Sequence, residues 1–249
     1  MNDTKKVALV TGGIGGIGTE ICRHLVRQGR QVIATHLAVE AEQAAAWQKA
    51  QSAAGFDLAL AVVDVTSFES CEAMAKEVEA RFGGIDILVN CAGITRDGTL
   101  RKMEEAQWSA VLSTNLDSVF NVTRQVIEGM TERGFGRIVN ISSVNGHKGQ
   151  FGQTNYAAAK AGMYGFTKSL ALEGARKGVT VNTVSPGYIA TEMVMAMSED
   201  VRNQIIGTVP VGRLGTPEEI GRAVAFLCDD ASGYITGADL SINGGLYMS

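Results

Sequence analysis

The chain has 249 residues, of which 45% are hydrophobic and 19% charged, and it carries a formal net charge of −4. That length fits one large α/β domain over residues 1–249, while mild acidity without a basic stripe argues against nucleic acid as a partner and no apolar stretch is long enough to cross a membrane. Because residues 1–6 form no signal peptide, the cysteines show no paired spacing and the histidines no metal-ligand spacing, we expect a cytoplasmic protein with reduced thiols and no metal site.

Short apolar runs alternate along the chain with segments of helical periodicity. Strands are predicted over residues 7–10, 31–35, 58–63, 85–90, 136–141, 179–184 and 239–242. Helices are predicted after the first strand, over residues 38–54, 67–81 and 105–132, from Tyr156 to about residue 177, and after the cap residue Thr216. The alternation predicts an α/β fold, a single doubly wound parallel sheet of Rossmann type with helices on both faces.

The turn after the first predicted strand is rich in glycine. Residues 11–18 read Thr-Gly-Gly-Ile-Gly-Gly-Ile-Gly, which fits the spacing Thr-Gly-x-x-x-Gly-x-Gly, and a helical segment follows. Glycines allow a backbone to approach a pyrophosphate closely, and the free N–H groups at the start of a helix attract its charge. A strand, a glycine-rich turn and a helix in this order predict a dinucleotide-binding site, although such a turn can also be purely structural.

A tyrosine and a lysine lie four residues apart, Tyr156 and Lys160, with Ser143 upstream of them. On a helix this spacing places the phenol and the ammonium on one face, and we expect the positive charge to lower the pKa of the Tyr156 phenol from about 10. Tyr156 can then act as an acid or base while Ser143 holds a carbonyl oxygen. By spacing alone such a pair is more often a solvated helix face, so the assignment depends on the rest of the chain.

Polar and glycine-containing segments follow directly after several predicted strands. In a parallel sheet the carboxyl ends of the strands meet at one edge, and ligands bind there. We therefore expect these residues to gather along that edge: Thr11, Gly12, Asp64, Asn90, Ala92, Gly93, Ser143, Pro186 and Gly187. Their convergence predicts a nucleotide-dependent active site.

With these residues the chain resembles the short-chain dehydrogenase/reductase family over essentially its whole length. The resemblance implies a catalytic set of Asn115, Ser143, Tyr156 and Lys160, in which Lys160 also holds the nicotinamide ribose and Asn115 bends its helix and holds a water. It implies NAD(P)H as cofactor, bound by Tyr156, Lys160 and a wider set: Thr11, Gly12, Gly13, Gly16, Ile17, Gly18, His36, Asp64, Val65, Asn90, Ala92, Gly93, Pro186, Gly187 and Ile189. Cys91 departs from the family's usual Asn-Asn-Ala-Gly motif, which is a small change.

One branch of the family matches further. Residues 140–146, 148–156, 181–191 and 243–246 resemble the branch that reduces acetoacetyl-CoA to an (R)-3-hydroxyacyl thioester in polyhydroxybutyrate synthesis. The resemblance implies that five residues help to form the acyl-CoA pocket: Asp97, Gln150, Phe151, Gln153 and Tyr188. The simpler alternative is that Phe151 is a loop residue packed on the core and that the glutamines are solvated.

Two other functions remain open. Residues 94–97 and 156–162 are shared with the 3-oxoacyl-acyl-carrier-protein reductases, and Arg96, Arg101 and Lys102 could meet either a carrier protein or the phosphates of CoA. A non-enzymatic dinucleotide-binding protein is the remote alternative, because a pure binder has no need of the phenol–ammonium pair.

The choice between NADH and NADPH has no standard marker here. His36 stands where an acidic residue usually binds the free ribose, and Gly15 rather than a base precedes Gly16. Residues 34–48 contain no Lys or Arg, and Glu40 and Glu42 would repel a 2′-phosphate. Most relatives of this type use NADPH, but the local charge favours an NADH-capable enzyme over one strict for NADPH.

Residues 190–207 are rich in methionine and resemble the family's substrate lid. Methionines suit a mobile apolar cover, although the packing of a short helix explains them equally well. Relatives of this size are usually tetramers, so the resemblance implies a homotetramer built through the long helices after the fourth and fifth strands and through the C-terminal strand.

Overall fold

The strands form one parallel sheet. The structure, a computed structural model, describes residues 5–248 apart from the side chain of Met193, so part of the N-terminal segment considered above lies outside it. The strands run β1 (Val7–Val10), β2 (Gln31–His36), β3 (Leu58–Val62), β4 (Ile85–Asn90), β5 (Gly136–Ile141), β6 (Val179–Pro186) and β7 (Asp239–Ile242). Neighbouring strands are parallel in the order β3-β2-β1-β4-β5-β6-β7, which confirms the predicted doubly wound sheet.

Helices connect the strands and cover both faces of the sheet. They are α1 (Gly16–Arg27), α2 (Ala41–Ala53), α3 (Phe68–Phe82), α4 (Glu105–Leu112), α5 (Ser118–Arg133), α6 (Val144–Lys148), α7 (Thr154–Gly174), α8 (Glu192–Met195), α9 (Glu199–Thr208) and α10 (Pro217–Cys228). None of the helices described is long and apolar enough to cross a membrane.

The hydrophobic core lies in two layers, one on each side of the sheet. Leu9 of β1 packs with α3, α5 and α7 on one face, while Ala8 and Val10 pack with α1 and α10 on the other. Because both faces are covered, the central strands are apolar at successive positions rather than alternating. This explains why β1 and residues 87–89 of β4 read as short continuous apolar runs. β5 is buried throughout as well, although Arg137 and Asn140 interrupt its apolar residues.

The predicted helix over residues 105–132 is interrupted. After α4 the backbone widens into a π-helical turn, Ser113–Asp117, before α5 continues. Such a turn carries one extra residue relative to an α-helix and is frequent at functional sites. The predicted Tyr156 helix also ends earlier than expected, at Gly174, and a 3₁₀ turn covers Ala175–Lys177.

Capping residues fix two helix starts as expected. The Ser67 hydroxyl accepts a hydrogen bond from the Ser70 N–H at the start of α3. At α10 the Glu219 carboxylate accepts from the Thr216 N–H at 2.8 Å, and Thr216 Oγ1 accepts from the Glu219 N–H at 3.4 Å. Each pair satisfies backbone donors that have no partner within the helix.

Candidate active site

A cleft of about 530 Å³ opens at the carboxyl ends of β1, β4, β5 and β6. It spans the point where the strand order reverses between β1 and β4, which is where doubly wound sheets bind ligands. The predicted site residues that line it are Gly12, Gly16, Ile17, Gly18, Ala92, Gly93, Ser143, Tyr156, Lys160, Pro186, Gly187, Tyr188 and Ile189. The glycine-rich turn is therefore at one end of the same cleft as the Ser143, Tyr156 and Lys160 side chains.

The glycine-rich turn has a tight backbone that only glycine allows at two of its positions. Gly12 has a positive φ of 62°, and a Cβ added at Gly18 would lie 2.3 Å from the Gly12 carbonyl oxygen. Helix α1 begins at Gly16 with no acidic residue in its first turn. Gly16, Ile17 and Gly18 line the cleft, so the helix start, which carries no carboxylate of its own, suits an anionic pyrophosphate.

Thr11 holds the two central strands together beneath this turn. Its backbone N–H donates to the Val89 carbonyl at 3.0 Å. Its side-chain oxygen accepts hydrogen bonds from the Cys91 N–H at 3.0 Å and the Ala92 N–H at 3.1 Å. Thr11 is buried, so the structure gives this residue a role in shaping the cleft wall rather than in lining it.

Ser143 ends the loop after β5 and caps helix α6. Its hydroxyl accepts a hydrogen bond from the Asn145 N–H at 3.1 Å, and the residue is 9% exposed. A serine oxygen that already accepts from a backbone N–H has its own proton free to donate. The Ser143 hydroxyl is therefore prepared to donate to an oxygen in the cleft.

Lys160 lies one turn after Tyr156 on α7, with its ammonium 5.6 Å from the centre of the tyrosine ring. The ammonium donates to the Ile141 carbonyl at 2.8 Å and is 4% exposed. Burial lowers the pKa of Lys160 to about 8. The Tyr156 phenol and the Lys160 ammonium therefore lie on one face of α7, as their spacing predicts.

The predicted lowering of the Tyr156 pKa is wrong. Burial raises the pKa of Tyr156 to about 12, although a hydrogen bond with the Ser143 hydroxyl opposes the rise. Desolvation is the largest cause of the shift, and the Lys160 ammonium donates to the Ile141 carbonyl rather than to the phenol. In this structure the phenol is consequently a protonated acid at neutral pH.

Asn115 lies in the π-helical turn between α4 and α5. Its side chain pairs with the backbone of one residue, accepting from the Ile94 N–H at 2.9 Å and donating to the Ile94 carbonyl at 2.8 Å. Asn115 is fully buried. The helix irregularity that the family resemblance implied is present, and its visible effect is to fix the loop after β4 against α4.

The five residues expected around the substrate separate into two groups. Tyr188 lines the cleft. Gln153 donates to the Asp97 carboxylate at 2.9 Å and accepts from the Asn145 amide at 3.0 Å, joining the loop after β4 to α6. Gln150 accepts from Lys148, and Phe151 is 85% exposed. The residues that line the cleft do not include Asp97, Gln150, Phe151 or Gln153.

The remaining predicted cofactor residues do not line the cleft, and each has local contacts of its own. His36 Nδ1 lies 2.8 Å from the Leu37 carbonyl, and the residue is buried. Asp64 accepts from the Thr66 N–H and hydroxyl at 2.9 and 2.7 Å. The Asn90 amide donates to Asn140 Oδ1 at 2.8 Å. Val65 and Gly13 are buried, and a Cβ on Gly13 would lie 2.7 Å from that of Ala34.

Several lining residues were missed from the sequence. Gln43 borders the cleft beside Glu40, and Thr191, Glu192 and Val194 border it from α8 and the residue before it. Thr191 Cγ2 lies 3.2 Å from the position that a Cβ on Gly16 would occupy. Gln43 lies three residues after Glu40, a helical spacing that could have indicated it, whereas the approach of Thr191 to the glycine-rich turn depends on tertiary packing.

The chain is similar to known proteins over almost its whole length. The profile of the family described as enoyl-(acyl carrier protein) reductase matches residues 12–247. The chain is 60% identical to an acetoacetyl-CoA reductase of Allochromatium vinosum, over 98% of this chain and 99% of that one. It is 58% identical to nodulation protein G of Azospirillum brasilense, over 98% of each. It is 48% identical to a 3-oxoacyl-[acyl-carrier-protein] reductase of Vibrio cholerae, over 100% of each.

Proposed function

Since the chain belongs to the short-chain dehydrogenase/reductase family, we propose that it reduces acetoacetyl-CoA, a 3-oxoacyl-CoA, to the (R)-3-hydroxyacyl-CoA with NAD(P)H, in polyhydroxybutyrate synthesis. The observation that carries this proposal is one cleft with a glycine-rich turn at one end and Ser143, Tyr156 and Lys160 at the other. That arrangement suits a dinucleotide beside a carbonyl group. The 60% identity to an acetoacetyl-CoA reductase favours that substrate.

The residues of the cleft fit a dinucleotide. The turn at residues 12–18 packs so tightly that a Cβ at Gly18 would lie 2.3 Å from the Gly12 carbonyl oxygen, and it leads into the first turn of α1 at the cleft. The bound nicotinamide cofactor supplies the hydride that reduces the substrate carbonyl. Glu40 lines the cleft near the end of β2, where a 2′-phosphate would lie, while Glu42 lies outside the lining. This one carboxylate supports the use of NADH over strict NADPH.

Each polar side chain of the cleft has its own role in protonating the substrate carbonyl oxygen. Ser143 donates a hydrogen bond to the substrate carbonyl oxygen and orients it. Tyr156 gives its proton to that oxygen as negative charge develops there, and a pKa of about 12 keeps the phenol protonated beforehand. The Lys160 ammonium then stabilises the tyrosinate and binds the nicotinamide ribose. Asn115 fixes the loop at Ile94 and, with a bound water, returns a proton to the site.

The 3-oxoacyl-acyl-carrier-protein reductase function is the second candidate. Arg96, Arg101 and Lys102 are exposed on the loop after β4, where acidic partners or phosphates could bind. The 48% identity to a carrier-protein reductase favours it less than the 60% identity above favours the CoA substrate. A non-enzymatic binder remains the remote alternative, and an intact set of acid and hydrogen-bonding groups in the cleft argues against it.

The proposed oligomeric state and substrate lid are inferred from the resemblance to the family. We propose that the chain acts as one catalytic domain in a cytoplasmic homotetramer, with residues 190–207 as the substrate lid. Helices α8 and α9 occupy most of this segment, and Thr191 and Val194 border the cleft. At the mouth of the cleft, the acyl-CoA would contact Asp97, Gln150, Phe151, Gln153 and Tyr188. Closure of the lid over the mouth would complete this pocket.

The test is turnover of acetoacetyl-CoA by the purified full-length protein, followed by absorbance at saturating NADH and, separately, NADPH. We expect turnover with NADH, and a lower kcat/KM for an acetoacetyl thioester of acyl carrier protein. The Tyr156→Phe variant should lose turnover while binding NADH as tightly as the wild type. A higher kcat/KM for the carrier-protein thioester would favour the second candidate, and full activity of Tyr156→Phe would refute the assignment of the acid.

A further inference from the structure

A cluster of polar side chains behind the cleft contacts the backbone of Ser143. The Tyr164 hydroxyl lies 2.9 Å from the Ser143 carbonyl oxygen and 3.0 Å from Ser185 Oγ. Ser185 Oγ in turn donates to Asp239 Oδ1 at 2.6 Å. Carbonyl and carboxylate oxygens only accept, so the Tyr164 proton is directed to Ser143 and the Ser185 proton to Asp239.

Stacked rings hold the same tyrosine from the side. The His147 ring lies between two phenol rings, 4.2 Å from the centre of Tyr164 and 4.8 Å from that of Tyr247, with interplanar angles of 18° and 5°. His147 Nε2 is also 2.8 Å from Asp239 Oδ2. Asp239 therefore binds the His147 ring that stacks on Tyr164, and it also accepts from Ser185, whose oxygen lies beside the Tyr164 hydroxyl.

This arrangement fixes both ends of helix α6, which starts directly after Ser143. One end is held at the Ser143 carbonyl by Tyr164, and the other by His147 between two rings and a carboxylate. The helix has only five residues, Val144–Lys148, so its own hydrogen bonds hold it weakly. A Cβ at Gly146 would lie 3.0 Å from the Tyr164 hydroxyl oxygen, which shows how closely α6 approaches this phenol.

We propose that Tyr164, itself held by His147 and Asp239, is a positioning residue that fixes the Ser143 hydroxyl for the substrate carbonyl. The proposal rests on the proposed function, because it assigns Ser143 to that oxygen. The Ser143 carbonyl that Tyr164 holds and the Asn145 N–H that donates to the Ser143 hydroxyl at 3.1 Å lie in successive peptide groups, so turning the first would disturb the second. The Tyr164 hydrogen bond opposes that motion without contacting the substrate.

The first measurement uses no substrate. Amide hydrogen exchange is compared in the wild type, Tyr164→Phe and Tyr247→Phe, because phenylalanine keeps each ring in the stack and removes one hydroxyl. We expect peptides covering residues 142–148 to exchange about tenfold faster in Tyr164→Phe, which corresponds to roughly 1.4 kcal/mol, and at the wild-type rate in Tyr247→Phe. Unchanged exchange in Tyr164→Phe would overturn the proposal, whether or not acetoacetyl-CoA proves to be a substrate.

The second measurement separates positioning from general stability. Tyr164→Phe should lower kcat for acetoacetyl-CoA about tenfold while the Kd for NADH stays within twofold. In a Ser143→Ala background, the same change should lower the residual kcat by less than twofold, because Tyr164 acts through Ser143. Equal losses in both backgrounds would contradict the proposal. Absence of wild-type turnover would refute only the proposed function, since hydrogen exchange has already decided the inference.

Discussion

The Lys160 ammonium lies 5.6 Å from the centre of the Tyr156 ring, close enough to interact with the ring yet bonded elsewhere. Its hydrogen bond goes to the Ile141 carbonyl. Burial gives Lys160 a pKa of about 8 and Tyr156 a pKa of about 12, so the two groups lose their protons in that order as the pH rises. Between these values the phenol remains an acid beside a neutral amine.

The first prediction concerns pH. A lysine is charged below its pKa, so kcat for ketone reduction should be level from pH 6 to 7 and fall as the pH rises through about 8. The reason is that neutral Lys160 no longer stabilises the tyrosinate. Steady-state rates at saturating substrates from pH 6 to 10 would show it. A Lys160→Arg variant keeps its charge and should give a lower but flat profile, and a wild-type rate that rises through pH 8 would contradict the assignment.

The second prediction concerns cofactor choice. Glu40 lines the cleft, and its carboxylate also accepts from the Leu37 N–H at 2.8 Å. Glu40→Gln keeps an acceptor for that bond and removes the charge, so the Kd for NADPH should fall about fivefold, roughly 1 kcal/mol, while that for NADH changes little. Fluorescence titration with each cofactor measures this. Glu42→Gln, outside the cleft lining, is the matched control, and an equal effect in both variants would exclude a local role for Glu40.

The third prediction concerns the π-helical turn. Asn115→Ala removes both hydrogen bonds to Ile94 and leaves its part-buried backbone N–H and carbonyl groups without these partners. We expect a loss of roughly 2–4 kcal/mol in the free energy of unfolding, together with a large loss of turnover. Urea unfolding gives the first quantity. Asn203→Ala, at an exposed position of α9, should change the free energy by less than about 0.5 kcal/mol. A stable and active Asn115→Ala would show that the turn does not depend on this amide.

The fourth prediction concerns the glycine-rich turn. Gly18→Ala places a Cβ 2.3 Å from the Gly12 carbonyl oxygen, so the backbone of the turn must shift. We expect the Kd for NADH to rise at least about tenfold, with a destabilisation of roughly 1–3 kcal/mol. Gly165→Ala on α7 is the control, because its Cβ would meet nothing within 4 Å and alanine favours a helix by about 1 kcal/mol. An unchanged Kd for NADH in Gly18→Ala would contradict the assignment of this turn to the cofactor.

Much of the sheet could be read from the sequence because its central strands are buried on both faces. β1, β4, β5 and β7 begin and end where predicted, while β2 and β6 extend one and two residues further and β3 ends one residue earlier. The glycine-rich turn and the Thr216 cap were also found, since each depends on residues close together in the chain. Local patterns carry this information, so tertiary contacts were not needed.

Other features depend on contacts that a linear pattern does not contain. The interruption at Asn115 is fixed by the backbone of Ile94, a residue 21 positions away. The sign of the Tyr156 pKa shift follows from burial, which spacing on one helix does not reveal. Phe151 is exposed and outside the cleft lining, a placement that residue order does not reveal, and its contact with the substrate stays a prediction.

The joining of β1 to β4 affects how the chain acquires its binding ability. Thr11 and Val89 are 78 positions apart, yet their contact completes the wall under the glycine-rich turn. Contacts between distant parts of a chain form late, because a long loop must close before they contribute free energy. During refolding, helical structure should therefore recover before dinucleotide binding does. The same order applies during synthesis, because β1 cannot pair with β4 until β4 has left the ribosome.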